Sequence, residues 1–167
     1  MIKIIATLTS NDLEGVIETL SKIKQELKKN DIAREICQEH GFDIDIIDGI
    51  PMEFIDDLES SAKTIDSRIQ LSTSLLDEEF EVMMRYAIHE LVHSLQHMRA
   101  EGINVNEDSE YLDREDELEA FKFQVKYDAE ERGLNEAIDY VEDLVEYHEI
   151  PDEEKEDKKK ELLERAI

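Results

Sequence analysis

In "NDLEGVIETLSKIKQEL", the residues Leu13, Val16, Ile17, Leu20, Ile23 and Leu27 recur at helical spacing. That pattern predicts a helix with one apolar stripe turned toward a core. Asn11 stands at its cap with Glu14 at the capping-box position. Upstream, the β-branched run "IKIIATLT" (Ile2 to Thr9) predicts a short strand. "KKND" interrupts the stripe, and Asp31 caps a second, shorter helix ending near His40-Gly41. "FDIDIID" (42–48) alternates apolar and acidic positions almost throughout, the period of a half-buried strand, and Gly49 and Pro51 end it. "FIDDL" from Phe54 reads either way. "AKTID" and "RIQLSTS" predict two short strands around a turn at Asp66-Ser67.

Ser74 and Asp77 offer start signals for a long helix through "EEFEVMMRYAIHELVHSLQHMRAEG", stopping at Gly102. "INVNEDSEYLD" has no helical stripe and reads as a loop. A helix follows from about Arg114 to Arg132, closed by Gly133, and "LNEAIDYVEDLVEYHEI" is a further amphipathic one. The tail from Pro151 is mostly charged, a solvated helix or a frayed end. No repeat and no Gly/Ser linker divides the chain. The expectation is an α+β fold: a helix-rich single domain (1–167) with a small mixed or antiparallel sheet. Within it, 1–61 is a strand-and-helix region, 62–132 a functional core and 133–167 a C-terminal helical region.

Composition narrows the possible partners. The chain has 167 residues, 40% hydrophobic, enough for a core despite 38% charged. Its net charge of −26 opposes nucleic acid and anionic membrane surfaces, which need clustered Lys and Arg. The same charge suits a basic partner. The single cysteine, Cys37, cannot form an internal disulfide and reads as a small core residue. The opening "MIKIIATLTSND" turns polar too soon for a secretory signal, and no apolar run approaches ~18 residues. A cytoplasmic location is expected.

The chemistry concentrates in "YAIHELVHSLQH" (86–97). On a helix, His89 and His93 share a face about 5–6 Å apart and can reach one ion at the ~2.0–2.1 Å bond length of zinc. Glu90 points about 100° away, where a carboxylate can take a proton from water at the metal. No other charged residue lies between Tyr86 and His97. An unpaired glutamate in so apolar a frame is costly to bury without a purpose. His97 continues the run of histidines, but eight residues rise about 12 Å along a helix, too far to share the ion with His89. A third ligand must come from elsewhere, and "DREDELEAFKFQ" supplies carboxylates.

HExxH followed by Glu117-Leu118-Glu119-Ala120 resembles the gluzincin zinc peptidases, over roughly residues 62–124. Gln96 and Arg99 stand where a metzincin would carry Gly and His. The gluzincin resemblance implies a zincin-like arrangement: a central HExxH helix, then a helix whose glutamate completes the site. Glu117 is the implied ligand, with Glu119 as fallback and His148 and His40 as remoter alternatives. Phe121 departs from the polar residue that usually steadies a ligand histidine in that family. The resemblance also makes "SRIQLSTSLL" the edge strand along which an extended peptide substrate pairs. The implied protein is a zinc-dependent metallopeptidase: Zn²⁺ on His89, His93 and Glu117, Glu90 as general base, and Tyr111, Tyr86 or His97 as oxyanion donor. Its substrate would be a peptide or protein, possibly basic. The rival is an acidic protein-binding or nucleic-acid-mimic module with structural or no zinc.

Overall fold

The computed structural model describes residues 10–99 and 110–167. The expected strand at Ile2–Thr9 and the helix stop at Gly102 lie outside them. The first helix, α1 (Ser10–Lys29), begins one residue before the expected cap. Val16, Ile23 and Leu27 of its stripe are buried, whereas Leu13 and Ile17 are 39% and 58% exposed. Helix α2 (Asp31–Glu39) is capped by Asn30 rather than Asp31, since the Asn30 Oδ1 accepts from the amides of Ile32 and Ala33 at 2.9 and 3.2 Å. It stops at His40, and Gly41 follows at φ +78°.

The strand expected at 42–48 does not form. The segment makes successive turns that lead into a single-turn helix, α3 (Ile46–Gly49). The cause is local: the Asp43 carboxylate accepts the Asp45 amide at 2.9 Å, a side-chain bond that competes with a strand ladder. Lys28 then holds Asp45 and Asp48 at 2.9 and 2.6 Å. Ile47 is fully buried, so the segment fills the core through turns rather than alternation.

The sheet is mixed. Strand β1 (Met52–Ile55) runs parallel to β3 (Arg68–Ser72), and β2 (Ala62–Ile65) runs antiparallel to β3, in the order β1-β3-β2. The β2–β3 hairpin turns at Asp66-Ser67 as expected, with φ of +48° and +63°, the two left-handed residues that a tight hairpin turn demands. The expected edge strand is corrected: β3 is central, and β2 forms the edge. Ser74 and Asp77 also do not start the long helix. They lie in a 3-10 turn (Thr73–Asp77) capped by Ser72, and α4 runs Phe80–Arg99.

After a short 3-10 turn at Tyr111–Asp113 come α5 (Glu115–Glu131), α6 (Leu134–Tyr147) and α7 (Asp152–Ala166). The charged tail is a helix docked on α5 and α6, with Leu162 and Ala166 buried. Helix α5 joins two apolar clusters. Ala120, Phe123 and Tyr127 pack with α1–α4 and the sheet, while Leu118, Phe121 and Val125 pack with α6 and α7. Its long contact with α4 sets the two functional helices side by side. Cys37 is buried, as its sequence context implies. Among the described residues, no helix is long and apolar enough to cross a membrane.

Candidate metal centre

Helix α4 is buried on most sides through its middle, from Val82 to Gln96, which keeps its polar side chains in a fixed environment. His89, Glu90 and His93 therefore sit in a largely buried wall, with His89 and Glu90 each 5% exposed. Glu117 comes from the first turn of α5, where Glu115, Asp116 and Glu117 cluster and the helix N-terminus favours negative charge. Packing of α5 along α4 carries it to the two rings.

Three atoms meet. His93 Nε2 lies 3.1 Å from His89 Nε2 and 3.2 Å from Glu117 Oε2, and His89 Nε2 lies 3.3 Å from the same oxygen. Tetrahedral zinc ligation with bonds of ~2.0–2.1 Å separates its donor atoms by about 3.3–3.4 Å, so this triangle has the right edge. Hydrogen bonding alone does not satisfy it. A bond between the two rings needs one nitrogen protonated and the other bare, and a bare His89 nitrogen would face the carboxylate lone pair to lone pair. A shared cation satisfies all three contacts, and an imidazole–imidazole–carboxylate set suits zinc. Among the described residues this is the group of His, Cys, Asp and Glu side chains able to hold a metal.

The electrostatics match a charge-dense site. Burial disfavours a cation at His93, but the bond to Glu117 and the charges of Glu117 and Glu90 outweigh it and push the imidazole up to about 9. Burial also works against the Glu117 carboxylate, yet the bonds and charges of His89 and His93 hold it well below the usual carboxylate range. Arg114 pairs with Asp116 at 2.7 Å and stands 3.9 Å from Glu117 Oε1. Tyr111 lines the cleft, and burial, with the charge of Glu117, raises its phenol far above its ordinary value.

Glu90 lines the same cleft, a cavity of about 1010 Å³ between β2 and the helices. Its Oε2 accepts from the Thr64 hydroxyl at 2.8 Å, an anchor from strand β2 that sequence reading missed. Gln96 was also missed: its Oε1 meets His93 Nδ1 at 2.8 Å. Its position three residues after His93 on one helix face was the available signal. Phe121 stands against His89 with ring centres 4.7 Å apart, and His89 Nδ1 is buried without a hydrogen-bond partner. So the apolar residue steadies that ring by packing.

The other candidates fall outside the triangle. Glu119 accepts from Gln96 at 2.7 Å, and its other oxygen lies 3.0 Å from His40 Nε2 without hydrogen-bond geometry. His148 stacks on Tyr111 at 4.7 Å. His97 is exposed at the cleft rim and accepts the Ser67 amide at 3.4 Å. Tyr86 lines the cleft, with the Arg85 guanidinium 5.1 Å from its ring centre. No protein family matches this chain, and neither does any curated protein or solved structure.

Proposed function

We propose that this protein is a zinc-dependent metallopeptidase of the gluzincin type, with His89, His93 and Glu117 as Zn²⁺ ligands and Glu90 as general base. The observation that carries this reading is the convergence of His89 Nε2, His93 Nε2 and Glu117 Oε2, 3.1–3.3 Å apart, in a cleft that Glu90 also lines. When bound, the ion polarises a peptide carbonyl and lowers the pKa of water toward ~7.

The remaining chemistry belongs to the chain. Thr64 holds Oε2 of Glu90, which leaves Oε1 to take the proton of the attacking water and pass it to the leaving amine nitrogen. The hydroxyls of Tyr111 and Tyr86 and the ring of His97 line the cleft and are this reading's donors to a developing oxyanion. Strand β2 is a sheet edge, and Ser60 to Thr64 line the cleft, so an extended peptide has main-chain groups to pair with. A net charge of −26 favours basic peptides over nucleic acid, and the reading carries a cytoplasmic location with it.

The same charge favours the second reading, an acidic module that docks on a basic protein and holds zinc for structure or not at all. A library of basic peptides and non-peptide amides, incubated with the zinc-loaded chain, separates the two. The expected result is peptide cleavage that stops with chelator and returns with zinc. A folded, zinc-loaded chain that captures basic proteins and cuts nothing would favour the second reading.

A further inference from the structure

Gln96 follows His93 by about one turn of α4 and is 4% exposed. Its Nε2 faces two atoms that can only accept, Glu119 Oε2 at 2.7 Å and the Asp116 carbonyl at 3.2 Å. Those contacts fix which end of the amide is the NH₂. The oxygen is then the end turned to His93 Nδ1, at 2.8 Å. A carbonyl oxygen cannot donate, so the proton of that bond belongs to His93 Nδ1. Nε2, across the ring, is left to face His89 Nε2 and Glu117 Oε2.

The chain of contacts continues. Glu119 Oε1 lies 3.0 Å from His40 Nε2, at the end of α2. An ion pair of the neighbouring residues, Lys122 with Glu39 at 3.3 Å, pins the same two helices together. One oxygen of Glu119 accepts from Gln96 and the other lies within ion-pair distance of His40, whose ring nitrogens make no hydrogen bond, so Glu119 anchors the amide rather than joining the ligands. His89 has no counterpart to this chain, because its Nδ1 is unpartnered and its ring rests on Phe121.

We infer that Gln96 and Glu119, with His40 in ion-pair contact behind them, form a positioning relay that sets the ring orientation and tautomer of His93 and so tunes the affinity of the site for zinc. The inference rests on the metal-centre reading proposed above. Each member acts through the next: His40 stands 3.0 Å from one oxygen of Glu119, the other oxygen of Glu119 holds the Gln96 amide, and Gln96 holds the ring. Glu119→Gln should therefore matter even though it keeps size, because a glutamine there can donate as well as accept and no longer dictates which way the Gln96 amide faces.

The test is competition between the full-length chain and a chromophoric chelator for Zn²⁺. Gln96→Met keeps the side-chain length and removes both ends of the amide, and should weaken zinc binding about 10–100-fold. Glu119→Gln and His40→Phe should each weaken it severalfold. Adding His40→Phe to Gln96→Met should change nothing further, since His40 acts through Gln96. In ¹⁵N NMR of the zinc-loaded chain, a protected His93 Nδ1–H should be present in the wild type and exchange rapidly in Gln96→Met. Should Gln96→Met fail to fold, Glu119→Gln, at the most exposed member of the relay, decides by the same two measurements. Wild-type affinity in a folded Gln96→Met, or additive effects of the two substitutions, would overturn the relay alone. A wild-type chain that binds no zinc would overturn the metal-centre reading and this inference with it.

Discussion

Glu90→Gln separates holding a metal from using it. Glutamine has the shape of glutamate, and the position is 5% exposed, so little repacking is needed. The Thr64 hydroxyl, which donates to Glu90 Oε2 at 2.8 Å, can donate to an amide oxygen instead. The substitution therefore keeps the anchor and replaces Oε1 with an NH₂ that cannot take a proton. Loss of a general base costs about 10²–10⁴-fold in rate, or about 3–5 kcal/mol. The three converging donor atoms are untouched, so zinc should bind as in the wild type. Removing a carboxylate from an apolar frame should also stabilise the fold by about 1 kcal/mol. For a chain of this length that raises the melting temperature by about 2–4 °C. The assay follows hydrolysis of a fluorogenic basic peptide, with zinc content and thermal unfolding measured on the same preparation. Normal cleavage by the variant, or loss of its zinc, would refute the role given to Glu90.

Thr64→Val keeps the β-branched shape on β2 but deletes the hydroxyl that orients Glu90. From the ~1.5–3 kcal/mol of a bond to a charged group, kcat/KM should fall about 10–100-fold at unchanged zinc affinity; an unchanged rate would remove Thr64 from the account. Asp128→Ala strands Arg85, whose partner carboxylate lies 3.0 Å away and is fully buried. An uncompensated buried charge costs about 3–5 kcal/mol, so thermal unfolding should drop by roughly 10 °C. A shift under about 2 °C would show that the pair does not hold α4 to α5.

The meeting of the two histidines was more legible in sequence than the order of the strands around them. His89 and His93 could be placed together because four residues on a helix share a face whatever the rest of the fold does. The Asp66-Ser67 turn was legible for the same local reason. Phe42 to Asp48 misled because alternation cannot distinguish a strand from successive turns when aspartate side chains bond their own backbone. The place of β3 in the middle of the sheet was hidden, since its parallel pairing with β1 is a long-range fact. Leu13 and Ile17 fit the helical stripe yet lie outside the core, because a stripe gives a face and not what covers it. Glu119 shows the limit most clearly. Its carboxylate could be named among possible ligands from spacing, but only the packing of α2 and α4 against α5 brings His40 and Gln96 to it.

The central claim is that His89, His93 and Glu117 hold one zinc ion. Elemental analysis of the chain purified without chelator, joined to X-ray absorption at the zinc edge, tests it most directly. The account predicts one zinc per chain with nitrogen and oxygen neighbours at ~2.0–2.1 Å, lost in both His93→Ala and Glu117→Ala. A folded wild-type chain free of zinc after exposure to it, or a Glu117→Ala variant that keeps the ion with unchanged neighbours, would contradict it.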